Sequence, residues 1–537
     1  MSFRFRFFFL LVLCAQMACK AQVKFVNTDS LPQELQKITK ALPTDMQLQA
    51  WPMFANKVQL EAYGLGYFLF ESRWIEQTDS SKAIEFHTGK KFEEIELLSA
   101  TSIRKLKPKD FQHLVSDSLS SYLNNGHPFV KIVLLAQSAA IPKFTLQIEP
   151  GPTIEVGRIV IKPEGIIQPK VLAQLLQLES GSTFSIKELE QISSKLSNQS
   201  GFKLIREPEW LVQDNQADIY LYIERVKASS ATGILGLQPN PLTQKNTLVG
   251  EFQMSLHNTF QKNEKLYLNW RSVAPQVQLL QLQLNWPYIA SSAYGLTSGL
   301  KMYKRDTSFI ELKSQIGLQY QLPKAWQILG LLDFWRSSSL SSQQVTQLAN
   351  FRNLSYGLGL QRKTLNNWFN PTKGQIFYSQ FLVGTKKMTA AHFTWRLEIQ
   401  QQQFFALAKR HTLLFQQQLS HIASDSLFRN ELYRFGGLDR MRGFDEEAFF
   451  ASSFAFAGLE YRFIIDEFAY ASVFTDWAAF SNQTIAAPVE WVQAVGLGFA
   501  MGSEKGLFKL NYALGTYLGE PFQFSAGKIH LAYISYF

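Results

Sequence analysis

From residue 229 onward, apolar and polar side chains alternate with a period of two. The runs Leu280-Gln281-Leu282-Gln283-Leu284-Asn285-Trp286, Ile316-Gly317-Leu318-Gln319-Tyr320-Gln321-Leu322, Leu459-Glu460-Tyr461-Arg462-Phe463 and Phe508-Lys509-Leu510-Asn511-Tyr512-Ala513-Leu514 all show it. Such alternation predicts strands whose two faces meet different surroundings. The apolar face could be the core of a soluble sandwich or the lipid face of a membrane barrel. Roughly 300 residues of this texture, with no helical layer, exceed one sandwich and suit a closed barrel of about 16 strands of about 10 residues. The chain stops on a further alternating run, Ile529-x-Leu531-x-Tyr533-x-Ser535-x-Phe537.

Ahead of residue 229 the pattern changes to a loose α+β repeat. Each unit has an amphipathic helical stretch ending in a glycine and an aromatic, then an extended segment and an alternating run. The first helix ends near Tyr63-Gly64-Leu65-Gly66-Tyr67 and is followed by Ile84 to Phe92. The second ends at Tyr122 to Phe129, around Gly126, with its strand at Leu146 to Ile154. The third carries Leu189, Ile192 and Leu196 on one face, ends at Gly201-Phe202, and has its last strand at Ile219 to Ile223. Glycine stops a helix because it alone enters the left-handed region at little cost. The units expected are 22–95, 96–156 and 157–228, followed by a barrel over 229–537.

The start of the chain has its own signature. Arg4 and Arg6 precede the apolar run Phe7 to Leu13, and small residues follow, as in a signal peptide over 1–21 cleaved after Ala21. An N-terminal anchor helix is the alternative, although the apolar run falls short of the ~20 residues a span needs. Cys14 and Cys19 are the only cysteines. Cleavage would remove both, excluding disulfides, a thiol nucleophile and a cysteine metal site; the rival reading makes Cys19 a lipid-attachment site. Aromatic residues are 14% of the chain, including 44 Phe, an excess that suits the interfacial girdles of a membrane barrel. The net charge of +10 fits an anionic surface, but no Lys/Arg tract follows the leader, which argues against nucleic acid. The chain lacks a Gly-x-Ser-x-Gly elbow, a His-Glu-x-x-His helix and a phosphate-binding loop, and its eight His residues are scattered. No enzyme, metal or other cofactor is therefore expected. Asp445-Glu446-Glu447 reads as a solvated acidic turn.

Several motifs carry a family resemblance. Pro150-Gly151-Pro152-Thr153-Ile154-Glu155-Val156-Gly157 resembles a POTRA (polypeptide-transport-associated) repeat, although an unrelated periplasmic α+β domain would share the coarse texture. Arg434-Phe435-Gly436-Gly437-Leu438-Asp439-Arg440-Met441-Arg442-Gly443-Phe444 is similar to the Arg-Gly-Phe loop of the outer-membrane protein assembly family, which includes BamA, TamA and the two-partner secretion transporters. In that family the loop folds into the lumen and its arginine meets an acid in a Phe-x-Asp-x-Gly strand. The matching residues are Phe474 and Asp476, with Ala478 where the family has glycine. Asn258 to Leu268 resembles the family's Asn-x-Phe-Gly-x-Gly-x-x-Leu hairpin without its two glycines, and Trp286-Pro287-Tyr288 resembles the ending of its Tyr-x-x-Pro strand. A terminal Phe537, with Tyr533 and Leu531 on the same strand, resembles the insertion signal of outer-membrane barrels.

The resemblance implies a barrel in the outer membrane with its N-terminal repeats in the periplasm. Three repeats favour the TamA-like branch. The repeats would receive unfolded outer-membrane or secreted polypeptides, adding them at exposed sheet edges, and the barrel would insert or translocate them through a seam between its first and last strands. Outer-membrane lipids and a periplasmic or inner-membrane protein are the further partners implied. The alternatives are a secretion pore for one dedicated passenger, a barrel handling lipid or lipopolysaccharide, and a structural barrel.

Overall fold

The computed structural model describes residues 22–536, apart from 27–30, 41–50, 79–80, 99–102, 137–142, 198–200, 240–245, 274–276, 306–307, 341–347, 368–369, 439, 486–487 and 504–505. The leader, Cys14, Cys19 and Phe537 lie outside the described residues. The chain forms two compact units. One comprises the residues up to Val160 with Leu178–Ile192 and Pro208–Leu221, and the other Ile161–Gln177, Ser193–Glu207 and Tyr222–Phe537.

POTRA-like α/β elements come first. Strand Ser81–His87 lies between Gln22–Val26, parallel to it, and Glu71–Thr78, antiparallel to it. A four-stranded sheet follows in the order Ile103–Leu106, Ile95–Leu98, Lys143–Glu149, Lys131–Ala136. Helices Trp51–Gly64 and Pro108–Asn124 supply Tyr63 and Phe111 to one core, where Phe68 lies 5.7 Å from Tyr63, 5.3 Å from Phe111 and 5.7 Å from Phe144, ring centre to ring centre. A third sheet takes Glu209–Gln213, Gln216–Arg225 and Glu155–Lys162, with Phe202–Leu204 also paired to the second of these.

One backbone device recurs three times. Gly66, Gly126 and Gly201 each follow a helix with φ of +96°, +85° and +100°. Their carbonyls accept the N–H of Phe92 (2.9 Å), Ile154 (2.7 Å) and Val226 (3.0 Å) respectively. The glycine reverses the chain and pins it beside the end of a strand farther along the chain. A side chain there would be strained, and at Gly126 its Cβ would also lie 2.9 Å from Thr183. Gly151, after Pro150 in the turn leading to Ile154, has φ of +74°. Gly157 lies in a strand where a Cβ would meet the Asp218 carboxylate at 2.5 Å.

Residues 230–536 build a closed antiparallel barrel of sixteen strands, as expected. They run in chain order from Ser230–Pro239 to Lys528–Tyr536, and are numbered here first to sixteenth. Period two sorts the faces. On the sixth strand (Phe309–Gln321) Leu312, Ile316, Leu318 and Tyr320 are exposed outward, while Glu311 and Gln319 are buried inside. On the fourteenth (Glu490–Ser503) Trp491, Leu497 and Met501 face outward and Val492, Ala494 and Ala500 inward. An apolar exterior around a polar interior is the reverse of a soluble barrel and places the outer face against lipid. No described helix is long and apolar enough to cross a membrane.

The turn between the second strand (Asn246–His257) and the third (Lys265–Val273) explains the missing glycines. Gln261 and Asn263 stand where the resemblance expects them, and both adopt positive φ, +60° and +57°. Side chains hold the strained turn. Glu264 accepts from the N–H of Phe260 (2.6 Å) and Lys262 (3.1 Å), and Asn258 Oδ1 accepts from Asn263 N–H (2.9 Å).

The Asp218 carboxylate accepts from the Arg158 side chain (2.7 and 3.2 Å) and its backbone N–H (2.8 Å), which holds its pKa below the usual carboxylate range. A lowered folded-state pKa means the pair stabilises the fold above about pH 4 and is lost as pH falls through the folded value. Hydrogen-exchange protection of Glu155–Lys162 in the full-length protein should therefore drop as pH falls below about 4. Asp218→Asn should lower protection at neutral pH and remove that extra acid sensitivity.

Candidate functional site

The segment between the eleventh strand (His411–Ser424) and the twelfth (Ser453–Ile464) folds back into the lumen. A short hairpin, Tyr433–Phe435 against Phe449–Ala451, forms its stem. Gly436 and Gly437, with φ of +127° and +94°, turn the chain into its tip. Aromatic packing stiffens the stem: Phe435 stacks on Phe454 at 4.5 Å and packs against Phe449 (5.1 Å) and Phe480 (5.4 Å), while Phe444 lies edge-on to Phe449 at 4.9 Å.

Arg442 sits at the tip, 8% exposed. Its Nε and one terminal nitrogen donate to the two oxygens of Asp476 at 2.9 and 2.8 Å, and its backbone N–H adds a third bond at 3.2 Å. The remaining terminal nitrogen donates to Glu460 at 2.5 Å, and Glu460 also accepts from Arg462 at 2.7 Å. The guanidinium lies 3.4 Å from the centre of the Phe474 ring. Two arginines thus balance two buried acids, and the planar fork of Arg442 meets Asp476 with both prongs. Gly443, at φ +94°, brings the loop against the fifteenth strand (Gly506–Tyr517), where a Cβ would lie 2.6 Å from the amide nitrogen of Gly515. Ala478 leaves the thirteenth strand (Tyr470–Ser481) regular, since pairing runs unbroken from Phe456 through Ala478 to Val492.

The loop has further anchors that sequence reasoning missed. Arg434 pairs with Glu311 on the sixth strand and lies 4.2 Å from the Tyr303 ring centre. Glu447 accepts from Arg271 on the third strand at 3.3 Å and from the Tyr303 hydroxyl on the fifth strand (Tyr294–Arg305) at 2.7 Å. The side chains of Lys386, on the ninth strand (Gly374–Lys387), and Glu431 are fully buried and pair at 2.9 Å. The reading of Asp445-Glu446-Glu447 as a solvated turn is therefore corrected at Glu447. Asp445 and Glu446 are exposed, Asp445 pairing with Lys528 on the sixteenth strand at 2.8 Å and Glu446 accepting the Leu438 N–H at 2.9 Å. Glu311, Glu460 and Arg271 sit at inward-parity positions of alternating strands, which was the available signal. Which charge meets which was not readable.

Tyr533 and Leu531 point outward on the sixteenth strand, at 59% and 64% exposure. The seam between this strand and the first is held, among the described residues, by the pairs Ser230↔Tyr536 and Ala231↔Ser535 alone. Even the shortest of the other strand pairings joins eight residue pairs. No group of His, Asp and Glu among the described residues is placed to hold a metal.

Arg442→Ala should destabilise the barrel by about 3–5 kcal/mol, because a buried acid loses its partner, with Arg442→Lys intermediate. Gly443→Ala should cost about 1–3 kcal/mol from its strained φ alone. The temperature at which the protein loses heat-modifiable migration should fall in the order wild type, lysine variant, alanine variant at position 442.

Residues 252–529 match the family model described as the Omp85 superfamily domain. Among solved structures, BamA from Haemophilus ducreyi lacking POTRA domains 1–3 shares 13% identity, with 96% of this chain and 98% of that one covered and a TM-score of 0.47. CdiB from Acinetobacter baumannii shares 13% identity over 98% and 90%, TM-score 0.48. CdiB from Escherichia coli shares 11% over 97% and 91%, TM-score 0.49. No curated protein matches the chain.

Proposed function

This chain belongs to the Omp85 superfamily and carries POTRA-like elements ahead of its outer-membrane barrel, and we propose that it inserts polypeptides into the outer membrane through the seam between its first and last barrel strands. The repeats, taken as 22–95, 96–156 and 157–228, receive an unfolded client along exposed sheet edges. The client's strands then pair with the edge that the seam exposes. No nucleotide or metal enters this scheme, and the client's own folding supplies the energy.

The observation that carries the reading is the two-pair seam. Backbone groups in hydrocarbon must be hydrogen-bonded, so a barrel interface left largely unzipped is costly unless another strand completes it. An unpaired strand edge is also a template for exactly that addition. The loop anchored by Arg442 supports the same reading, since it braces the walls on either side of the lumen while the seam, among the described residues, is held by two residue pairs. Membership of the TamA-like branch is part of the proposal and rests on the three repeats.

Opposed residues on paired strands lie close enough to form a disulfide. Ala231→Cys with Ser535→Cys should lock the seam on oxidation, halt client assembly, and recover on reduction. The pair Gln278→Cys and Lys304→Cys, at directly opposed positions within the well-zipped fourth (Val277–Trp286) and fifth strands, should have no effect. Unimpaired assembly with the seam locked would sink the proposal. A photo-crosslinker at Tyr533 then separates roles. Capture of several unrelated barrel proteins supports insertion, whereas a single secreted protein trapped only at lumen positions identifies a dedicated secretion pore.

A further inference from the structure

We infer that the barrel lumen contains a binding site for an anionic saccharide. A cavity of about 640 Å³ lies beneath the inward loop, with Leu438, Arg440 and Arg442 facing it from the loop and Asn370 and Phe468 from turns at the opposite, periplasmic end. Its volume is that of an ordinary small-ligand pocket. Nothing in the insertion scheme uses it.

Three features define the ligand. The first is charge. Five cationic side chains line the cavity, Lys363, Arg440, Arg442, Arg462 and Lys509, against the single carboxylate of Glu460. Asp476 and Glu460 pair with Arg442 and Arg462, and the positive charge that favours an anion is that of Lys363. Lys363 has no acidic partner among the described residues.

The second feature is an amide platform. Gln400 and Gln402 on the tenth strand (Ala391–Ala408) stand directly opposite Gln418 and Gln416 on the eleventh, and all four line the cavity. A side-chain amide offers both donors and an acceptor, as a sugar hydroxyl does in return. Tyr378 and Tyr470 add flat faces beside it.

The third is an unmet demand. Asn370 is 5% exposed, and neither its Oδ1 nor its Nδ2 has a hydrogen-bond partner among the described residues. Buried polar atoms are normally satisfied, so this side chain calls for a partner from the cavity.

The same wall disfavours a peptide. Its strand backbones are committed to the barrel ladder, so an extended chain finds no free edge and only side chains can recognise the occupant. Side chains that are mostly amide, cationic and phenolic match a charged, hydroxyl-rich ligand.

The test is calorimetric titration of the full-length protein in detergent micelles with trigalacturonate, using neutral maltotriose and hexaglutamate as comparators. Trigalacturonate should bind at least tenfold more tightly than either. Lys363→Gln and Gln402→Leu should each weaken it at least tenfold, with heat-modifiable migration kept as the check on folding. If the leucine variant loses that migration, the lysine variant alone decides. Displacement of trigalacturonate by deacylated lipopolysaccharide assigns the ligand to the membrane's own glycans, and failure to displace assigns a soluble one. Equal binding of hexaglutamate, or binding unchanged in Lys363→Gln, overturns the inference. Either result leaves the insertion proposal untouched, because that rests on the seam.

Discussion

Hydrocarbon offers a backbone amide no hydrogen-bond partner, and the architecture of this barrel answers to that constraint. Each of the sixteen strands must find both neighbours, so the sheet has to close. Most of the closure is generous, with ladders of eight to fourteen residue pairs along the well-zipped wall. At one place it is not. Among the described residues, the ladder between Ser230–Ala231 and Ser535–Tyr536 shrinks to two pairs. The seam is thus the cheapest interface to part, and parting it exposes edges that demand new strands.

A barrel with a weak seam needs its remaining wall held in shape, and the inward loop does this with buried charge. A buried ion pair adds little net stability, because desolvation offsets much of the attraction. Its value is geometric: removing any one partner leaves an unpaired buried charge, so the arrangement tolerates few alternatives. Arg442 reaches the twelfth and thirteenth strands, Arg434 and Glu447 reach the third, fifth and sixth, and Glu431 reaches the ninth. The loop therefore braces opposite walls of the lumen, and among the described residues its ion pair to the last strand is the more exposed one of Asp445 and Lys528. Rigidity is concentrated away from the seam.

Departures from the family pattern show how local chemistry substitutes for a missing residue. Gln261 and Asn263 take the left-handed conformations that glycine would occupy freely, and the carboxylate of Glu264 and the amide of Asn258 bind the turn's N–H groups. Ala478 needs no such compensation. Its methyl joins the aromatic cluster around Phe456 and Phe480, where a strand of ordinary dihedrals suffices.

Periodicity and single-residue chemistry were legible from the chain alone. Alternation in runs such as Leu280 to Trp286 announced strands with two unlike faces, because successive side chains must point to opposite sides. Gly66, Gly126 and Gly201 marked chain reversals, because only glycine turns left-handed at low cost. The loop motif singled out Arg442 and Asp476, which the fold brings within 2.8 Å. What the chain could not show is which charges meet across the lumen. Glu460, Glu311 and Lys386 are ordinary inward residues until barrel closure and the returning loop bring partners from distant strands to them. The shortness of the seam is likewise a matter of register, set jointly by all sixteen strands as they close, and no local run of residues encodes it.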